Sequence, residues 1–198
     1  MKLHPYCLAL LIVPLACQPA EVAEPAETVE PGETAESDEE APGSAGEVLP
    51  TPFTAEQIRV GCQAGTQVIY RIKMTGQPPI QQFMLFSDGD EVNATIESWA
   101  ESANGEALGP RGTSVTPWTE LRDHALLAAG STRVHEVFAT EQGELEGWHY
   151  TEHVDDARGK GTKELWFDQR FPGPPALLVE TIDGVETMRM EMIARTLP

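Results

Sequence analysis

Basic side chains are scarce in this chain: 13 Lys and Arg stand against 32 Asp and Glu, for a formal net charge of −19. Such a balance repels phosphate backbones and offers no polybasic grip on anionic lipid, so nucleic acid is not an expected partner. Cysteine occurs three times, at Cys7, Cys17 and Cys62, with no Cys-x-x-Cys pair, which argues against a dithiol redox site; an unmodified Cys17 could pair with Cys62. No apolar run nears the roughly 20 residues that a spanning helix needs. Aromatic residues are absent between positions 18 and 52, where nothing large is available to bury. Glycine-rich phosphate loops are missing too. Gly112-Thr113-Ser114-Val115-Thr116 ends in Thr where a nucleophile elbow requires Gly, so serine chemistry of that type is not indicated.

What is present begins with an address. Lys2 and His4 precede the apolar stretch Leu8-Ala9-Leu10-Leu11-Ile12-Val13, which closes on Pro14-Leu15-Ala16-Cys17. The length suits a signal-peptide core ahead of small residues. Pro14-Leu15-Ala16-Cys17 resembles a bacterial lipobox at Leu15, Ala16 and Cys17 and departs from it at Pro14, where an aliphatic residue is usual. The expected organisation is a lipoprotein signal peptide over residues 1–16, acylation at Cys17, a disordered acidic tether over 17–50 and one β-rich domain over 51–198. An ordinary secretory signal cleaved near Ala16, with no lipid added, is the other reading. Acylation of Cys17 would leave Cys62 a lone thiol, expected to be buried as a small hydrophobe.

Between residues 18 and 47 there are ten acidic side chains and no basic one. Glu recurs every third position from Glu21 to Glu39, and Pro19, Pro25 and Pro31 recur every sixth. A polyproline helix has three residues per turn, so this period lines the carboxylates along one edge, and self-repulsion favours extension. Chain entropy is not offset by burial in so polar a stretch. The segment reads as a solvated spacer, or as an acidic strip for calcium or a partner.

The remaining roughly 150 residues suit a single core. Thr54 and Gln57 form a capping box for a short helix ending at Gly61. The period then changes to two, with Val68, Tyr70, Ile72 and Met74 on one face of a strand over 67–74. Further strands are expected over 81–87, 91–100, 131–140, 145–154, 162–168, 176–183 and 185–196. Thr116 and Pro117 suggest a second helix running to about residue 127. Short connections between successive strands imply an antiparallel meander. The predicted class is α+β: a mostly antiparallel, curved, half-barrel-like sheet with two short helices.

His149-Tyr150-Thr151-Glu152-His153 spells the H-x-x-E-H signature of zinc proteases, which functions only on a helix. Its flanks, Gly147-Trp148 and Val154, are strand-like. Four residues along a strand separate the two His by roughly 13 Å, too far to share one ion. A secreted zinc-dependent hydrolase using His149 and His153 is the alternative, and no metal, cofactor or catalytic residue is assigned. The apolar residues suggest more. Met188, Met190 and Met192 alternate on the final strand, and Trp148 and Tyr150 alternate on another. Together they are expected to line an apolar concavity, to which Trp99, Trp118 and Trp166 could add; plain core packing is the competing reading.

Three stretches carry a resemblance to lipoproteins of myxobacteria-like Gram-negative bacteria: residues 54–70, residues 141–151 with Gly143, Trp148 and Tyr150, and residues 165–179 with Phe171-Pro172-Gly173-Pro174-Pro175. The last also resembles the strand–turn–strand of lipoprotein-localisation carriers. That resemblance implies an open half-barrel shielding an acyl chain beneath a helical lid, with no catalytic residues to transfer. The acceptor type of these carriers is itself lipid-anchored. The expectation is thus a non-enzymatic envelope lipoprotein on the outer membrane, its domain in the periplasm or at the cell surface. Its partners would be the membrane, through the lipid, and an apolar ligand or a protein of unknown identity. Cys17→Ser should release the chain from membranes in a detergent-partition assay, and unchanged partitioning would contradict acylation there.

Overall fold

A computed structural model describes residues 49–198. The signal peptide expected over 1–16, the acylation expected at Cys17 and the tether as far as residue 48 lie outside the described residues. Helix α1 spans Ala55–Gly61, and both arms of its capping box form. The Gln57 N–H donates to Thr54 Oγ1 at 3.1 Å, and the Thr54 N–H donates to Gln57 Oε1 at 2.8 Å.

Nine antiparallel strands follow: β1 (Gln67–Met74), β2 (Ile80–Gly89), β3 (Asn93–Ser102), β4 (Gly112–Pro117), β5 (Thr132–Thr140), β6 (Gly143–Asp156), β7 (Gly159–Asp168), β8 (Leu177–Ile182) and β9 (Val185–Thr196). They form one curved, open sheet in the order β4-β3-β2-β1-β9-β8-β7-β6-β5. The first four strands meander outward from the centre. Helix α2 (Trp118–Asp123) and residues 124–131 then carry the chain to the opposite edge, from which β5 to β9 meander back.

Two local expectations change. Residues 112–117 form strand β4, where Thr116 lies opposite Ala94 in the ladder instead of capping a helix. Its β-branched neighbours Thr113 and Val115 favour extended backbone. Pro117 is the helix cap with φ −59° and ψ 141°, and makes no side-chain capping bond. Helix α2 consequently stops at Asp123, short of residue 127. The β2–β3 turn also falls later than the expected strand bounds 81–87 and 91–100 imply, because the Asp90 carboxylate accepts from the N–H groups of Val92 and Asn93, both at 2.7 Å.

Alternation divides the strands into two faces. The inner face carries Phe86, Ala94, Ile96, Tyr150, Leu165 and Phe167, which pack with Phe53, Ile58 and Trp118 in the largest core. Phe167 meets Phe53 edge-on at 6.2 Å and Tyr150 at 5.7 Å. On the outer face the tip of the β5–β6 hairpin folds back over the middle of the sheet. There the Glu141 N–H donates to Glu191 Oε1 at 2.6 Å, Gln142 Nε2 donates to the Met192 carbonyl at 2.8 Å, and Arg71 pairs with Glu141. Phe138, Leu145, Ala176 and Trp166 form a small core beneath the tip. Gly147 lies in β6 just behind the tip, where any Cβ would collide with the Phe167 carbonyl.

Cys62 caps α1 and is buried at 1% exposure, its Sγ 3.5 Å from the Pro172 carbonyl. Gly173 packs so closely that a Cβ there would lie 2.8 Å from that sulfur. Burial pushes the thiol up from 9.0 to about 11, against a smaller opposing pull from Arg195. At pH 8 the native thiolate fraction is therefore roughly a hundredfold below that of an ordinary thiol. Between pH 9 and about 11 the unfolded chain ionises Cys62 while the folded one does not, so stability falls through that window. Ellman's reagent should modify Cys62 rapidly only after unfolding. Reaction of the native protein at the rate of the denatured one would refute the burial.

Candidate ligand-binding site

The inner face is built from cross-strand rows. Tyr150, Leu165, Leu178, Met190, Ile72 and Ile80 each lie opposite the next across six adjacent strands. At about 4.8 Å per strand, this row is roughly 24 Å long. A neighbouring row sets Trp148 opposite Phe167 and sets Met192, Tyr70 and Gln82 side by side. Towards the far end, Met74 opposes Met188, then Glu180, Lys163 and Glu152 follow as a polar border.

The five residues expected to line a concavity all share this inner face but occupy different parts of it. Two strands, β7 and β8, separate the strand of Trp148 and Tyr150 from that of the methionines. Tyr150 is fully buried, and its hydroxyl donates to the Pro50 carbonyl at 2.7 Å. The Arg133 guanidinium sits 3.5 Å over the Trp148 ring, and His135 meets its edge at 4.8 Å. Met192 is buried with Val68 and Tyr70, and Met190 and Ile72 pack against that cluster half-buried. Met188 is half-buried as well. No residue of either helix belongs to this second cluster, whereas Ile58 of α1 and Trp118 of α2 belong to the first. The helices thus cover one part of the inner face.

Under that cover lies a cavity of about 110 Å³. Met84, Phe86, Leu165 and Phe167 line it from the sheet; Phe53, Ile58, Leu121 and Ala125 line it from the other side. It is smaller than the roughly 150 Å³ apolar cavity that holds benzene, too small for a long chain by itself. Met84 opposes Val68 across β2 and β1, which brings the cavity wall up to the Met190–Ile72 cluster. A second cavity of about 200 Å³ lies beside the hairpin tip and is lined by Met192, Leu145 and Phe171 together with Asp168, Arg170 and Arg195.

Trp118 lies on the inner side, its ring 6.3 Å from Phe86. Trp99 and Trp166 face outward. Trp99 stacks on Phe83 at 5.0 Å with the Arg111 guanidinium 3.7 Å over it. Trp166 stacks on His149 at 4.1 Å.

The H-x-x-E-H residues fall inside strand β6, so the helical face that a shared zinc ion needs is not formed. His149 Nδ1 lies 3.0 Å from Glu136 Oε1 on one neighbouring strand, and Nε2 lies 3.3 Å from Glu164 Oε1 on the other. The two carboxylates thus flank the ring on opposite sides and do not converge on one point. Glu152 points to the inner face, where Lys163 Nζ is 3.8 Å away. Among the described residues no group of three His, Cys, Asp or Glu is arranged to hold a metal ion.

Sequence reasoning missed the cavity residues of α2 and its C-terminal flank. Leu121 and Ala125 line the cavity, and they follow Trp118 at spacings of three and four, a helical stripe visible in the sequence once the helix start is placed at Trp118. Arg122 and His124, which also line the cavity, carried no such signal.

No protein-family model, no curated protein and no solved structure matches the chain.

Phe167 touches both the sheet core and the cavity. Phe167→Ala should destabilise the domain by about 3–5 kcal/mol in urea unfolding. Val137→Ala, at an exposed position on edge strand β5, should stay within about 0.5 kcal/mol. Equal effects of the two would contradict a core centred on the inner face.

Proposed function

We propose that this is a non-enzymatic envelope lipoprotein, anchored through Cys17, whose domain binds an apolar ligand on its inner face. The observation that carries the reading is the part of the inner face beyond the helices. Met190, Ile72 and Ile80 continue the apolar row beyond Leu178, which packs against the helix-covered core; they are half-buried, Met74 and Met188 lie beside them, and among the described residues no helix residue belongs to the cluster that Met190 and Ile72 join. An apolar face left in that state suits a ligand more than a sealed core. Unbranched, polarisable methionine side chains adapt to a variable apolar partner. The row adjoins the cavity under the helices through Met84, so a tail lying along the row has a pocket for its end. The polar border of Glu180, Lys163 and Glu152 gives the groove one wet side. Among the described residues no helix is long and apolar enough to cross a membrane, and in this reading membrane contact comes from the lipid on Cys17.

Met190→Glu tests the reading. In an open groove the domain stays folded by circular dichroism while binding of a fluorescent apolar probe falls severalfold. Unfolding of the variant would mean a closed core, since a buried unpaired carboxylate costs several of the 5–15 kcal/mol typical of a domain. Unchanged probe binding would place the ligand elsewhere.

A further inference from the structure

We infer that the ligand is a single-chain amphiphile with an anionic head, its tail on the inner face and its head at Arg122 and His124. This rests on the apolar-ligand reading above and adds the class of molecule bound.

The charge of the cavity lining carries the inference. From residue 48 onward the chain has twenty-two acidic and twelve basic side chains. Yet among the described residues the only ionisable side chains lining the cavity under the helices are Arg122 and His124, with no carboxylate beside them. Other cavities and clefts of the described domain include acids: Asp168 in one, Glu56 in a second, Asp90 and Glu91 in a third. An apolar chamber edged solely by base-type groups, in a domain so rich in acid, matches a ligand that is apolar at one end and negative at the other.

The two side chains are available for that head. Among the described residues the Arg122 guanidinium bonds only to Asp123, its chain neighbour, with Nε donating to Oδ1 at 2.7 Å. Both side chains of that pair are more than a third exposed, at 38% and 40%. Ion pairs so placed contribute little, and the planar guanidinium fork is suited to a carboxylate or phosphate oxygen pair. The His124 side chain is exposed and makes no hydrogen bond or ion pair among the described residues; its backbone N–H donates to the Glu120 and Arg122 carbonyls. Leu121 and Ala125, one position to either side of this pair, line the chamber, so a tail leaving the head meets apolar surface at once. A volume of about 110 Å³ admits part of one alkyl chain and not two side by side.

Dodecanoate, dodecyl phosphate and dodecanol share one tail and differ in the head. The full chain should bind at least one of the two anions about tenfold more tightly than dodecanol by isothermal titration calorimetry, and the better anion identifies the head as carboxylate or phosphate. In the double variant Arg122→Gln, His124→Gln the ratio should fall to near one, with the melting temperature showing that the fold persists. Charge-reversed Arg122→Glu should prefer dodecyltrimethylammonium. Equal binding of all three probes by the unaltered chain would overturn the anionic head and leave the apolar reading standing. An anion preference that survives both variants would also overturn the assignment to Arg122 and His124. Failure of every probe to bind would overturn the apolar reading itself.

Discussion

The two meanders of the sheet are joined by a single ladder, β1 against β9, and everything on the inner face depends on it. Residues 67–74 pair with residues 188–196, with a register shift between Ile69 and Tyr70. Without that ladder the sheet would separate into a four-stranded and a five-stranded piece, and the apolar row from Tyr150 to Ile80 would be cut between Met190 and Ile72. The same region anchors the cover. The Tyr70 hydroxyl donates to the Pro175 carbonyl at 3.0 Å, and burial pushes that phenol well above its ordinary value. Arg195, on β9, donates to the Gly61 carbonyl at 2.6 Å and the Phe171 carbonyl at 3.2 Å, tying α1 and the 171–175 segment to the sheet centre.

Coverage of the sheet is unequal on its two faces. On the inner face the segment before α1, the two helices and the Pro-rich loop seal the part around Phe86, Phe167 and Tyr150. On the outer face the β5–β6 tip does the sealing, and it sits over Trp166 and Ala176. Both covers contact the sheet through hydrogen bonds between side chains and main chain as well as apolar packing, so each is held in a definite register. The Met74–Met188 and Ile72–Met190 pairs lie outside the main inner core. That contrast sets this part of the row apart: among the described residues it lies outside the helix-covered core and is half-buried.

Local rules made much of the fold legible. The Thr54–Gln57 capping box and the alternation over 67–74 placed α1 and β1 correctly, because capping and alternation act within a few residues. Strand β4 escaped because Thr116-Pro117 satisfies a helix-start rule while Thr113, Val115 and Thr116 satisfy a strand rule, and the ladder with β3 decided between them. What no window of sequence contained was the pairing of β1 with β9. Without it, the methionines and Trp148 could be placed on a common face but not at their true separation, with two strands between them. The outward turn of Trp99 and Trp166 follows from alternation and was available from Ile96 and Leu165, their inward neighbours. The ionisable lining of the cavity was not available at all, since Arg122 and His124 acquire significance only when Phe86 and Phe167 arrive from distant strands.

The position of β9 also governs when this domain can take shape. A sheet whose central ladder joins residues 67–74 to residues 188–196 cannot be completed until the ninth strand is available. The first four strands can form hairpins as they are made, but their inner face then lacks both neighbour and cover. Closing a loop of that length before its contacts reward it places the rate-limiting event late, as in other topologies dominated by distant pairings. Until then the apolar row is exposed, and the surplus of acidic side chains is what opposes association of the unfinished chains. A polypeptide that stays open until its final strand arrives is also one that can be threaded through a narrow passage before it folds.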